Sequence, residues 1–270
     1  MIAEIFNLGA QGGPTEWTLL FLALFALCAG FVDAVAGGGG LIQLPALFSL
    51  VPQGSAASLF GTNKFASIFG TFMSAMRYAK TVRMPWNALL PALLAAGVFS
   101  WLGAATVSLL PRAWAQPLVL IMLVVVGVAT LKKKELGLTH GPRLSRQAER
   151  MVGFLTGMVL GFYDGFFGPG TGAFLIFVFV RTFGYDFLHA SASAKLVNVI
   201  TNLAALLFFV PAGEFFLIAA VLMALSNATG AVIGTQLAVK KGSRFVRQFF
   251  LFLLTVLIAR MAYSTLEMFL

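Results

Sequence analysis

A carboxylate followed by four consecutive glycines, set inside an apolar segment, constrains this chain more than any other feature. The stretch is Gly30-Phe31-Val32-Asp33-Ala34-Val35-Ala36-Gly37-Gly38-Gly39-Gly40-Leu41-Ile42. Four glycines in succession break a helix, because each loses about 1 kcal/mol relative to alanine. An ionised aspartate far from water is costly unless it is paired or hydrated. A plain membrane anchor gains from neither feature. A second copy, Gly161-Phe162-Tyr163-Asp164-Gly165-Phe166-Phe167-Gly168-Pro169-Gly170-Thr171-Gly172, follows 131 positions downstream without a gap.

The register of that repeat is firm. It pairs Gly30 with Gly161, Phe31 with Phe162, Asp33 with Asp164, Gly37 with Gly168 and Gly39 with Gly170, and continues through Leu44/Leu175 and Phe48/Phe179. Farther on it pairs Lys64 with Lys195 and Gly103 with Gly234. Apolar bias explains neither a recurring Asp nor a recurring Lys.

Hydrophobic residues make up 60% of the 270 residues and charged residues 10%, against about 25% charged in soluble proteins. That balance excludes two soluble domains and indicates an all-α polytopic membrane protein. The net charge of +9 could suggest a nucleic-acid partner, but the basic residues sit in short loops between apolar runs, as orientation signals do. Cys28 is the one cysteine, which rules out a disulfide framework or a Cys-based metal site. His140 and His189 are isolated in the sequence, so no metal site is expected. The N-terminus lacks a basic n-region and does not read as a cleaved signal peptide.

Apolar runs cover residues 17–36 and 41–51, which together read as a hairpin or broken helix around the glycines. Further runs cover 56–79, 86–110 and 117–131. The basic stretch 132–150 is the natural linker between an N-terminal repeat, 1–131, and a C-terminal one, 151–270. The second half repeats the plan with runs at 151–167, 172–183, 190–210, 215–239 and 249–268, and a basic loop at 240–247. Irregular backbone at membrane depth is tolerated only where protein buries it or water lines it.

Charge sets the expected orientation. Arg77, Lys80 and Arg83 make one loop basic, while its counterpart at 208–214 carries only Glu214. Residues 240–247 are basic, while their counterpart at 109–116 has only Arg112. Equivalent loops therefore face opposite sides, as in inverted-topology repeats of five membrane segments each. Both termini are then outside, and fourteen of the eighteen Lys and Arg residues are inside.

These motifs resemble the TauE/SafE family of membrane transporters, and most closely its YfcA-like members. The resemblance rests on residues 29–42 with Pro45-Ala46-Leu47, on Thr62-Asn63-Lys64, on residues 161–170 and on Ala194-Lys195-Leu196-Val197-Asn198. It covers nearly the whole chain. It implies a transporter of sulfur-containing anions such as sulfite, sulfoacetate or thiosulfate, or of related organic acids, in a bacterial inner membrane.

The residues themselves nominate a site. Lys64 and Lys195, each about eight residues into its segment, read either as a cation pair holding an oxyanion or as helix fasteners, Lys64 to Asp33 and Lys195 to Asp164. Asp33 and Asp164 read as proton-coupling groups or as caps on the loosened backbone. Gly38, Gly39, Gly40, Gly170 and Thr171 could offer N–H groups to an anion, or serve tight helix crossing. Thr62, Asn63, Ser193 and Asn198 lie beside the lysines and complete the candidate pocket; interhelical hydrogen bonding is their other reading. No nucleophile–base set, cofactor motif or ATPase motif is present, so no enzyme and no cofactor is expected. The expected function is secondary active transport of a small anion by alternating access, with protons as candidate coupling ion. The alternatives are an anion channel and a non-transport scaffold. The partners expected are the anion and the lipid bilayer, with oligomeric state left open and a homodimer one option.

Overall fold

The computed structural model describes residues 16–51, 54–107 and 137–269, and for residues 254, 257, 258 and 260–269 the backbone alone. Among these residues eight helices follow in order: α1 (Glu16–Ala36), α2 (Gly40–Leu50), α3 (Ala56–Ala79), α4 (Trp86–Ala105), α5 (Arg146–Phe166), α6 (Thr171–Val178), α7 (Phe187–Phe209) and α8 (Leu217–Phe269). A single π-turn, Phe179–Phe183, extends α6. There is no strand among the described residues. The expected fifth segment at 117–131, with Arg112 and residues 132–134, lies outside them.

Local chemistry explains where these helices begin. Ser55 accepts the Ser58 N–H at 3.0 Å to start α3, and Ser145 accepts the Ala148 N–H to start α5. Asp186 accepts two N–H groups, from Leu188 and His189, at the start of α7. Each side chain satisfies amides that the first turn leaves unpaired.

Three boundaries differ from expectation. The Ser145 cap draws Arg146–Arg150 into α5, which therefore begins before the apolar run expected at 151. Helix α4 stops at Ala105 rather than 110. The basic stretch 240–247 is no loop: helical turns continue on both sides of a kink at Gly242, whose φ of 73° only glycine adopts readily. The runs at 215–239 and 249–268 therefore form one bent element.

Among the described residues four helices are long and apolar enough to cross a membrane: Glu16–Ala36, Trp86–Ala105, Phe187–Phe209 and the Leu217–Leu253 part of α8. Their outer faces are apolar. Leu20, Phe21 and Leu24 on α1, Leu90, Leu94 and Val98 on α4, and Leu207 and Leu225 on α7 and α8 are all exposed. Such a surface is unfavourable in water and natural in lipid.

The halves interlock. Helix α1 packs along α8 and α4 along α5, while α3 and α7 cross between them. Glycine permits the close approach. A Cβ on Gly234 would stand 2.5 Å from the Phe31 carbonyl oxygen, and one on Gly103 would stand 2.3 Å from that of Phe162. Those two contacts exchange under the 131-residue shift. So do Gly30 against Asn227 and Gly161 against Ala96. Thr71 and Asn202, themselves 131 apart, touch each other at 3.5 Å, as residues near a two-fold axis do.

Candidate functional site at the paired helix breaks

Each break begins at a glycine that side-chain-bearing residues would strain. Gly37 has φ of 75° and its counterpart Gly168 has φ of 91°. The two breaks meet in the centre: the Ala173 N–H donates to the Gly37 carbonyl at 3.0 Å. A Cβ on Gly37 would lie 2.2 Å from the Gly172 carbonyl carbon. Two buried tyrosines brace the junction. Tyr78 donates its hydroxyl to the Ala34 carbonyl at 2.9 Å, and Tyr163 donates to that of Pro169 at 2.7 Å.

The lysines are buried at these breaks, and their partners lie in the opposite half. Lys64 Nζ is 2.8 Å from Asp164 Oδ2, and Lys195 Nζ is 2.6 Å from Asp33 Oδ2. The helix-fastener alternative pairs Lys64 with Asp33 and Lys195 with Asp164 within each half; the structure pairs them across the halves. α3 packs on α7, and each lysine reaches the aspartate of the other repeat. The two pairs are not equally made. Lys195 directs a hydrogen bond to Asp33, whose other oxygen accepts the Gly39 N–H at 3.4 Å. The Lys64 ammonium lies 2.8 Å from Asp164 Oδ2 as an ion pair, and no further donor reaches that oxygen. Asp33 thus both pairs with a lysine and holds loosened backbone.

The other nominated residues divide. Asn63 Oδ1, Ser193 Oγ and Asn198 Oδ1 are buried and make no hydrogen bond to another protein group. Buried polar atoms are nearly always paired, and an Asn amide can turn to present either its oxygen or its N–H groups. Thr62 is already engaged: it donates to the Ser58 carbonyl at 2.7 Å and accepts the Phe216 N–H at 2.9 Å. Thr171 donates to the Gly168 carbonyl at 2.8 Å. Gly38 faces Leu253 and Gly39 packs against Asp33. Gly40 lies by Pro169, and Gly170 by Phe174 and Leu41. Neither α2 nor α6 has a side chain capping its first turn.

Sequence reasoning missed a buried amide relay. Asn227 Nδ2 donates to Gln43 Oε1 at 2.9 Å, and Gln43 Nε2 donates to the Asn63 carbonyl at 3.4 Å. A glutamine inside the apolar run 41–51 was the available signal. A second polar file, Ser74 with Thr235 at 2.9 Å and Thr71 with Asn202, follows the α3 face that carries Lys64. It ends at a cavity of about 470 Å³ lined by Arg77, Lys80, Lys240, Thr235 and Gln236.

Paired cations and anions at glycine-broken helices, enclosed by apolar spans, define a polytopic membrane transporter. The profile of the family described as "Sulfite exporter TauE/SafE" matches residues 22–261, and the chain belongs to that family. It is 30% identical to "Probable membrane transporter protein YfcA" of Escherichia coli (strain K12), over 97% of this chain and 95% of that protein. It is 31% identical to "Probable membrane transporter protein ORF9" of Sinorhizobium sp, over 85% and 86% of the two chains. A probable membrane transporter protein of Haemophilus influenzae is 30% identical over 91% and 95%. No solved structure matches.

Proposed function

We propose that this transporter carries a small anion coupled to protons, with sulfite, thiosulfate and organosulfonates the first candidates, from a bacterial inner membrane. The crossed Lys–Asp pairing carries the reading. With all four groups ionised, each ammonium is neutralised and unavailable. Removing one partner of a buried pair costs roughly 3–5 kcal/mol, so neither group is released alone. A proton on Asp164 frees Lys64, and an oxyanion takes the place of the carboxylate. Proton and anion then enter the site together. Asn63 and Asn198 supply further polar contacts.

The halves work as inverted repeats of five segments rocking about the paired breaks. The reciprocal contacts and the distribution of basic residues support this arrangement. The linker and the basic cavity then face the cytoplasm, and the cavity is the inner mouth. Polar pairs along α3 lead from it toward Lys64.

Proteoliposomes with an imposed pH gradient test the proposal against sulfite, thiosulfate, sulfonates and carboxylates. A carrier concentrates its anion beyond equilibrium and loses that ability with an uncoupler, whereas a channel only equilibrates it. Lys64→Gln and Lys195→Gln should each weaken anion binding about ten- to a hundredfold, through loss of one charge-assisted hydrogen bond. Parent-like affinity in both variants would move the site elsewhere.

A further inference from the structure

The two histidines are the only ones in the chain, and the fold brings them together, correcting the expectation that they stand apart. Their rings stack with centroids 3.9 Å apart, beside Asp186 at the start of α7. His189 Nδ1 is 2.7 Å and His140 Nδ1 3.8 Å from the same oxygen, Asp186 Oδ2. Candidate ligand atoms of all three residues lie within 4.8 Å of one another. We infer that His140, Asp186 and His189 form a regulatory site for a divalent transition metal of the zinc type, with solvent filling the remaining coordination position.

The geometry suits that ion. Zinc–nitrogen and zinc–oxygen bonds of about 2.0–2.2 Å at tetrahedral angles put neighbouring ligand atoms roughly 3.3 Å apart. The observed 2.7 and 3.8 Å straddle that spacing, and a turn of the two stacked rings would direct both Nδ1 lone pairs onto one ion. The carboxylate is held for the purpose. Its Oδ1 accepts the Leu188 N–H at 2.8 Å, the His189 N–H at 2.9 Å and the Ser243 hydroxyl at 3.0 Å, which leaves Oδ2 to face the imidazoles. Such outer contacts orient ligands in metal sites. The imidazoles remain partly exposed, so an ion has a way in.

The position gives the ion something to regulate. His140 belongs to the segment that pairs with the turn after α6, through the Gly141 N–H donating to the Gly184 carbonyl at 2.9 Å. Asp186 and His189 start α7, and Ser243 follows the Gly242 kink of α8. Occupancy would pin three elements at one point. Lys195 lies on α7 nine residues from Asp186, or about 13 Å at the rise of an α-helix.

Untagged, purified protein titrated with Zn²⁺ by calorimetry, and with Co²⁺ by visible absorption, provides the test. One equivalent should bind per chain, and the Co²⁺ complex should show the ligand-field bands of a site containing nitrogen ligands. His140→Ala and His189→Ala should each lower the Zn²⁺ affinity by at least about tenfold, with the metal-free melting temperature close to the parent's. His140→Gln, which keeps most of the side-chain volume, serves should the alanine variant fold poorly. Absence of saturable binding, or parent-like affinity in the histidine variants, would show that the cluster is only a hydrogen-bonded helix start.

Discussion

At the scale of single residues, the crossed ion pairs make a prediction about energetic coupling. Lys195→Gln leaves Asp33 without its ammonium, and Asp33→Asn leaves Lys195 buried and unpaired. Each single change should destabilise the detergent-solubilised protein by roughly 3–5 kcal/mol, with the double variant costing much less than the sum. Lys64→Gln should couple in the same way to Asp164→Asn. Combined with Asp33→Asn, its cost should simply add. Thermal unfolding of the four single and the double variants measures this, and within-half coupling would contradict the crossed geometry. The 131-residue shift makes Lys64 equivalent to Lys195 and Asp33 to Asp164, yet pairing within halves satisfies that equivalence as well as pairing across them. Only the packing of α3 on α7 decides, and that contact lies beyond local sequence pattern. The stacking of His140 on His189 was illegible for the same reason.

At the scale of elements, the breaks were legible because glycine and proline act locally. The break after α1 and the one before α6 fall where the glycine runs place them. Boundaries set by a cap or a kink were harder, as Ser145 and Gly242 show. The junction of the breaks should tolerate little. Gly37→Ala must adopt a positive φ and also place a methyl group against the Gly172 backbone. It should abolish recovery of monodisperse protein on size exclusion. Gly213→Ala is the contrast, since Gly213 has φ of 70° but nothing within 4 Å of an added Cβ. Its cost should stay near the 1–2 kcal/mol of a left-handed residue alone. Orientation is testable with the same resolution. In a Cys28→Ser background, because Cys28 is exposed, cysteines at Ser145 and Gly213 should react with an impermeant thiol reagent from opposite sides. Labelling of both from one side would refute the inverted arrangement.

At the scale of the whole molecule, the proposed coupling rests on sharing each carboxylate between a lysine and a proton. If one proton enters with each anion, the apparent anion affinity rises as pH falls. The slope is one tenfold step per pH unit while the site's aspartate is unprotonated in the anion-free state. The sign is fixed by the exchange: the proton removes Asp164 or Asp33 from its ammonium, and the ammonium is then free for the anion. Reciprocity requires that the anion in turn promote proton uptake by the same factor. No donor other than the Lys64 ammonium reaches Asp164 Oδ2, whereas the Asp33 carboxylate pairs with Lys195 and also holds the Gly39 N–H. Asp164 should therefore be the group that exchanges its proton during the cycle, and Asp33 the one that keeps the breaks together. Asp164→Asn should flatten the dependence of anion binding on pH, whereas Asp33→Asn should keep that dependence although both changes lower the melting temperature. Isothermal titration of the transported anion across pH 5–8, on the parent and both variants, separates the two roles. A slope that survives in Asp164→Asn and vanishes in Asp33→Asn would exchange their assignments, and a flat parent profile would remove proton coupling from the mechanism.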